Sequence, residues 1–517
     1  MKASFNLVDE AWIPCIMKDG SRTEFGLLET FLKSPQIREL YDPSPLITIS
    51  LIRLLLAIMY RVLAPEDMKN FKKSWISIWK TGKFDEKTLD DYFKKWRNRF
   101  DLFDAERPFF QYPGVDAKET KACKLAQEVA RGNNPTLFDH NIDDEPIVLS
   151  PKKAAQFLVA DHAYALAGLG GFFDGPLSRG NTIMVCGKTL FQTLLFNFFN
   201  PVMCNFEIDL PVWEIPSLPA PGKRALPQGY ISYLTWQSRS VLLLPEENNN
   251  ELIVKKMLYA QGISVEDNWN RDPLKSYKKN KEKGRTPVRL AEDRALWRDS
   301  GSLFELIDDN PARPASFNWL ARLVQEGSLD REKRYHYHVF GLCADQAKVE
   351  LWRHERIPLP LSLLVDESLV GDLRTALSRA EDVAREGIGT SAWNLAGLLL
   401  SPDENRKPDR KQRDKLIQKL AMEELFWPSL ELPFKKFVED LGNGDKEALN
   451  KWFQTLKRSA IKAFDESVNS MGMTARTLKA ANHVSVRGNF YGKLKKVLPE
   501  LFNENQTNIT KEVNKNE

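Results

Sequence analysis

The sequence predicts an α+β protein with two parts: a mixed α/β N-terminal domain that carries long functional loops, and a C-terminal antiparallel four-helix bundle. Short β-prone runs bounded by turn residues occupy much of the first part, and long irregular stretches interrupt it. From about Leu361 the apolar residues recur only at helical spacing. The predicted domains are 1–360 and 361–502, followed by a tail, 503–517, that is expected to be disordered because it has almost no apolar residues.

Length and composition predict a soluble cytoplasmic protein with more than one core. The chain has 517 residues, 42% of them hydrophobic and 28% charged. Its net charge of +4 does not by itself indicate a nucleic-acid partner, so local patches matter more. Five widely spaced cysteines without a CxxC pair predict reduced thiols. The N-terminus lacks the apolar segment of a signal peptide, and no membrane association is expected.

The elements of the N-terminal domain follow from local signals. Residues 1–45 are predicted to form short strands, with Asp19-Gly20 as a hairpin turn. The motif Pro43-Ser44-Pro45 begins an apolar helix that extends to about residue 63. Its longest apolar run is interrupted by Arg53 and is too short to span a bilayer, which predicts a buried helix.

The C-terminal domain is predicted from four amphipathic segments. The first begins near Leu361, and the others are 411–441, 448–468 and about 486–501. Short or polar connections between such helices favour an antiparallel bundle.

A glycine-rich segment, Gly168 to Gly175, is the first candidate site. Glycine lets a backbone approach a ligand closely because no Cβ intervenes. Its spacing fits neither a dinucleotide fingerprint nor a phosphate-binding P-loop. Two interpretations remain open: a set of tight turns, and a backbone that lies against a nucleic-acid groove.

A basic run, Asp272 to Arg285, is the second candidate. Six of its fourteen residues are lysine or arginine, including Lys275, Lys278 and Lys279. Such a run can contact phosphates, although a solvated loop is the usual fate of clustered charge. A second basic run, Arg406 to Lys419, has the same two interpretations.

The third candidate is the tip of a predicted hairpin. An extended run ends at a turn near Gly341 and a second one follows, which places Asp345 and Gln346 near the tip. A neutral amide there can insert into a groove or between base pairs, because it offers both a donor and an acceptor. The alternative is an ordinary polar turn.

Acidic and histidine pairs suggest a rival function, a metal-dependent nuclease. The residues concerned are Asp139, His140, Asp161 and His162. Their spacing matches no metal motif, and hydrogen-bonded loop polar groups are the simpler interpretation. No motif of a hydrolase or a kinase is present either, so neither a catalytic site nor a cofactor is predicted.

Six short motifs in order resemble the CasA family, the large subunit of the type I-E CRISPR Cascade surveillance complex. The resemblance spans nearly the whole chain and rests on Asn6-Leu7…Trp12-Ile13-Pro14, Glu106 to Gln111, Thr136 to His140, Gly168 to Phe172, Tyr230…Gln237 and Asp345 to Lys348.

The resemblance implies a DNA-binding protein that is not an enzyme. It implies that the chain recognises a protospacer-adjacent motif (PAM) in double-stranded DNA from the minor groove and helps to open the duplex so that guide RNA can pair. Carried over by motif, the strand-separating wedge is Gln346, flanked by Asp345 and Ala347. The groove-facing segment is Gly168, Leu169, Gly170 and Gly171, and the contacting lysine is Lys278 or Lys279.

The resemblance also implies partners. Phe138, Asp139 and His140 would anchor the chain to the guide RNA (crRNA) ribonucleoprotein, beside the backbone, 5′-handle-capping and small subunits. A recruited helicase–nuclease would cleave the DNA. A structural scaffold of some other assembly is a further alternative, in which these loops contact only protein.

Overall fold

The chain divides into two compact units. In the computed structural model the first contains Met1–Leu296, Ile307–Asp330 and Tyr335–Ile357, and the second contains Trp297–Leu306, Arg331–Arg334 and the chain from Pro358 onward. The second unit thus includes two short segments that the sequence-based division left in the N-terminal domain. The structure describes residues 3–65, 67–126, 147–168, 172–200, 207–266, 272–282, 284–291, 294–307, 310–345, 348–401, 408–472 and 474–502.

Strands and helices alternate irregularly up to residue 360, and only helices occur in the described residues that follow. The strands are β1 Ile13–Met17, β2 Arg22–Phe25, β3 Ile37–Leu40, β4 Glu119–Lys121, β5 Thr182–Cys186, β6 Arg224–Ala225, β7 Arg239–Asn248, β8 Glu251–Gln261, β9 Ser264–Val265, β10 Tyr277–Asn280, β11 Gly284–Pro287, β12 Arg334–Asp345 and β13 Lys348–Pro360. The helices are α1 Leu27–Leu32, α2 Pro45–Leu63, α3 Phe71–Thr81, α4 Glu86–Trp96, α5 Pro151–Tyr164, α6 Leu190–Phe196, α7 Tyr230–Leu234, α8 Gly301–Phe304, α9 Ala315–Gln325, α10 Glu367–Asp382, α11 Thr390–Leu400, α12 Arg410–Leu420, α13 Met422–Gly442, α14 Ala448–Ser470, α15 Ala475–Ala481 and α16 Asn489–Val497.

Local signals account for the start of the first unit. Strands β1 and β2 form an antiparallel hairpin, and Gly20 in its turn has a φ of +87°, a conformation that favours glycine. Helix α2 begins at Pro45, as predicted, because proline lacks the N–H that a first helical residue leaves unpaired. By length and composition α2 could cross a membrane, but 78% of its most apolar stretch is buried inside the protein.

Antiparallel ladders organise the sheets of the first unit. Strand β12 lies between β13 and β5, and β8 lies between β4 and β7. Along β12, Tyr337 and Val339 are buried while His336 and His338 fall on the other face, as the two-residue period of a strand requires.

A buried charged cluster lies against the middle of α2. Arg53, only 2% exposed, directs its guanidinium to the carboxylate of Asp272 at 3.5 Å and donates to the carbonyl oxygen of Tyr233 at 3.3 Å. The hydroxyl of Tyr233 donates to the same carboxylate at 3.0 Å. A buried charge is tolerated only when it is paired and hydrogen-bonded, and this cluster meets both conditions.

The second unit is helical apart from short strand ends, in the part of the chain that the structure describes. A π-helical segment, Val383–Gly389, joins α10 to α11, and a second, Val484–Gly488, joins α15 to α16. Only Ala421, at φ +49°, separates α12 from α13. From Glu367 onward the helices thus form four stretches within the described residues, and the predicted α+β class with a helical C-terminal part is confirmed.

We expect Asp272→Asn to destabilise the first unit by about 3 kcal/mol, because Arg53 would remain buried without its counter-charge. Urea denaturation measures this loss. The matched control is Glu119→Gln, which breaks a half-exposed pair with Lys256 and should cost less than about 1 kcal/mol. Equal stability of the two variants would contradict the importance of the cluster.

Candidate nucleic-acid interface

The hairpin of β12 and β13 carries the predicted wedge at its end. Strand β12 ends at Asp345 and β13 begins at Lys348, while Gln346 and Ala347 between them lie outside the described residues. On its other edge β12 pairs with β5 from His336 to Phe340. Five more residues of β12 follow Phe340, so the strand extends about 17 Å beyond its last pair with β5.

The glycine segment is fixed firmly at its flanks. Backbone N–H of Gly168 donates to the carbonyl oxygen of Phe172 at 3.3 Å, and Leu169, Gly170 and Gly171 between them lie outside the described residues. Gly175 packs directly against the end of α5. A Cβ on Gly175 would approach the carbonyl oxygen of Ala163 to 2.8 Å, so a glycine is required there.

Arg239 stabilises both flanks of the glycine segment through hydrogen bonds. Its guanidinium donates to the carbonyl oxygens of Leu166 at 2.7 Å and Phe173 at 2.8 Å. The ring of Phe172 lies 4.9 Å from the guanidinium carbon, a cation–π distance. Arg239 is 3% exposed, and sequence reasoning missed it; the only signal was a charged residue at the start of an apolar strand.

The basic run forms a β-hairpin, β10 and β11, whereas the sequence predicted either a phosphate-contacting run or a solvated loop. Lys278 lies opposite Thr286 and Lys279 opposite Arg285. Lys278 and Lys279 are both exposed, but successive strand residues point to opposite faces. The two lysines therefore leave opposite faces of the hairpin, and Lys279 shares its face with a second cation, Arg285.

Lys275 is not part of this exposed basic surface, although the sequence analysis counted it in the phosphate-contacting run. It is 6% exposed, and its ammonium donates to the carbonyl oxygens of Pro176 at 2.6 Å and Arg179 at 2.7 Å. Burial lowers the pKa of Lys275 to about 8, so it stays protonated at pH 7. Lys275 thus ties the base of the basic hairpin to the chain that follows the glycine segment.

The three candidate segments are all attached to the first unit at one place, the start of β5. Asn181 donates from its backbone N–H to the carbonyl oxygen of Val288, just after β11, at 2.9 Å. Gly341 of β12 packs so closely on Leu290 and Asn181 that a Cβ there would come within 2.8 Å of each. The glycine segment, the basic hairpin and the β12–β13 hairpin are therefore joined by contacts in one part of the first unit.

The rival nuclease residues that the structure describes have structural partners. Asp161 is fully buried and accepts a hydrogen bond from the hydroxyl of Tyr259 at 3.0 Å. His162 lies 2.8 Å from the carbonyl oxygen of Phe110 through Nε2, and burial lowers its pKa to about 4. No group of three or more potential metal ligands occurs among the residues that the structure describes, and Asp139 and His140 lie outside them, as does Phe138.

Comparisons with known proteins identify the class and then the family. A family model described as CRISPR-associated protein Cse1 matches residues 6–463. CRISPR-associated protein CasA/Cse1 of Thermus thermophilus is 32% identical over 498 residues, which are 92% of this chain and 95% of that protein. These matches place the chain among the CRISPR-associated proteins. It belongs to the Cse1 family, also called CasA.

Solved structures show the same fold. The crystal structure of CasA from Thermus thermophilus matches with a TM-score of 0.79 and 27% identity, over 96% of this chain and 100% of that one. A chain of a CRISPR RNA-guided surveillance complex matches with a TM-score of 0.74 and 22% identity, over 95% of this chain and 99% of that one.

Proposed function

We propose that this chain is the large, DNA-scanning subunit of a type I-E CRISPR Cascade complex, and that it recognises the PAM in double-stranded DNA. Membership of the Cse1 family supports the assignment to CRISPR defence, and a similar chain occurs in a solved RNA-guided surveillance complex. The main observation that supports a DNA-binding role is that three segments are attached to the first unit at one place, the start of β5. One of these segments exposes lysines, one is rich in glycine and one ends in a two-residue connection with an amide.

Each segment has its own task in this proposal. Gly168, Leu169, Gly170 and Gly171 bring the backbone close to the edge of the minor groove, whose degenerate pattern of donors and acceptors permits several PAM sequences. Lys278 or Lys279 adds a contact to the phosphates or the groove edge. Gln346, between Asp345 and Ala347, enters the base step beside the PAM and separates the strands, which costs a few kcal/mol of stacking.

The remaining steps belong to partners. Guide-RNA pairing extends from the opened base step and supplies the sequence specificity, so the protein itself reads only a short motif. Phe138, Asp139 and His140 anchor the chain to the crRNA ribonucleoprotein and its neighbouring subunits in the cytoplasm. Cleavage is performed by a recruited helicase–nuclease, and the buried hydrogen bonds of Asp161 and His162 favour a structural rather than a catalytic role for both residues.

We expect Gln346→Ala, in the assembled complex, to weaken binding of a closed PAM duplex by at least about tenfold, because the stacking cost is no longer offset by the amide. Binding to DNA already mismatched beside the PAM should be restored. Gel shifts on both substrates measure this difference. Gln325→Ala, an exposed amide at the end of α9, is the control. Equal losses on both substrates would remove the wedge role.

For the basic hairpin, we expect one of Lys278→Ala and Lys279→Ala, and not both, to reduce the slope of log affinity against log salt by about 1. The reason is that the two side chains lie on opposite faces of β10. Titrations at several salt concentrations measure the slopes, with Lys87→Ala on α4 as the control. Two unchanged slopes would exclude phosphate contact by this hairpin, and two equal reductions would contradict the assignment of faces.

A further inference from the structure

A cleft of about 550 Å³ opens on the face of the β12–β13 ladder opposite the buried Tyr337. Its walls come from four separate parts of the first unit: the chain around β3, the first turns of α2, the turn between β5 and α6 with the start of α6, and alternate residues of β12 and β13. This volume falls in the range of small-ligand sites. The cleft lies along the stem of the hairpin, and its lining includes none of the residues assigned above to the duplex.

The floor of the cleft is an ordered aromatic surface. The imidazole of His354 stacks on the ring of Phe340 with centroids 4.5 Å apart and planes inclined by 8°. His354 is also joined through Nε2 to Nδ1 of His338 at 2.9 Å. Phe340 is 2% exposed and one face of His354 lies against it, so the exposed ring of His354 is the surface on which a planar ligand can stack.

One polar atom of a residue that lines the cleft has no hydrogen-bond partner among the described residues. Nε2 of His338 is buried, and it makes no hydrogen bond to any residue in the part of the chain that the structure describes. Depending on which ring nitrogen carries the proton, this atom is either a free donor or a free acceptor. Leaving such an atom unpaired is costly, so it favours a ligand that offers a complementary polar edge.

Positive side chains surround the rim. Arg38, Lys188 and Arg356 line the cleft and are exposed. Of the two acidic residues in the lining, Asp42 is already paired with Lys153 at 2.8 Å, and Glu39 is paired with Arg38 at 3.1 Å. Arg356 lies 3.5 Å from Nδ1 of His336, and neither Lys188 nor Arg356 is paired with these two carboxylates, so both can hold an anionic group such as a phosphate at the mouth.

We propose that this cleft binds one unpaired nucleotide, with the base on the exposed ring of His354 and the phosphate between Lys188 and Arg356. A base inside a duplex is stacked on both faces and cannot enter a concave site of this kind. The shared chemistry is a planar heterocycle linked to a phosphate, which a single strand of DNA or RNA and a free mononucleotide all provide. The inference is independent of the wedge role proposed for Gln346.

The test uses the full-length protein and fluorescence anisotropy with labelled single-stranded DNA, single-stranded RNA and duplex of one sequence, and with AMP and dTMP as competitors. We expect the double variant Lys188→Ala/Tyr41→Ala to bind single strands about tenfold more weakly while duplex binding is unchanged, because Lys188 and the half-exposed Tyr41 line the cleft. The matched control, Lys87→Ala/Tyr491→Ala, removes an exposed lysine and a half-exposed tyrosine that are not in the lining and should bind single strands like the wild type.

Photo-crosslinking supplies a second readout that does not depend on a variant. Single strands that contain 4-thiouridine or 5-iododeoxyuridine should crosslink to peptides that hold Tyr41 or Trp352, which also lines the cleft. Competition by AMP or dTMP would identify a free nucleotide as the ligand, and its failure would identify a strand. Wild-type affinity of the double variant for single strands, or crosslinks confined to other peptides, would overturn the proposal. The Gln346→Ala variant tests the proposed wedge separately: we expect it to bind single strands and to form these crosslinks like the wild type, even if it no longer opens the duplex.

Discussion

The ion pair of Arg53 and Asp272 is the constraint on which the rest of the first unit depends. An arginine in the middle of an otherwise apolar helix would be prohibitive without a partner, so Asp272 must stay in place for α2 to remain buried. Asp272 in turn fixes the chain that follows it. Three residues later Lys275 reaches the carbonyl oxygens that follow the glycine segment, and Tyr277 begins β10.

In this arrangement the residues that support the three segments differ from the residues proposed to recognise DNA. The buried contacts of Arg239, Lys275 and Asn181 fix the points at which the three segments leave the first unit. The outer residues of the segments take no part in these contacts and are polar, basic or glycine-rich. A recognition site needs its supporting groups fixed, since small displacements reduce both affinity and specificity.

Sequence reasoning succeeded where the signal was local. Asp19-Gly20 and Pro45 act on their own neighbours, so the hairpin turn and the start of α2 were predictable. Arg239 and Lys275 were not, because the carbonyl oxygens that bury them lie roughly 65 to 100 residues away in the sequence. The face that each lysine of β10 occupies also depends on register, which the composition of a basic run does not reveal. The cleft could not be predicted from the sequence for the same reason, since segments far apart in the sequence line it.

The most direct test of the proposal that buried contacts position the three segments is to remove one of these contacts without changing any residue proposed to bind DNA. Lys275→Met keeps the length of the side chain but removes the ammonium that joins the basic hairpin to the glycine segment. A duplex with 2-aminopurine beside the PAM reports opening by the assembled complex as a rise in fluorescence. We expect Lys275→Met to assemble normally and to open the duplex much more slowly than the wild type. Duplex opening at the wild-type rate would contradict the claim that the buried contacts at the start of β5 position these segments.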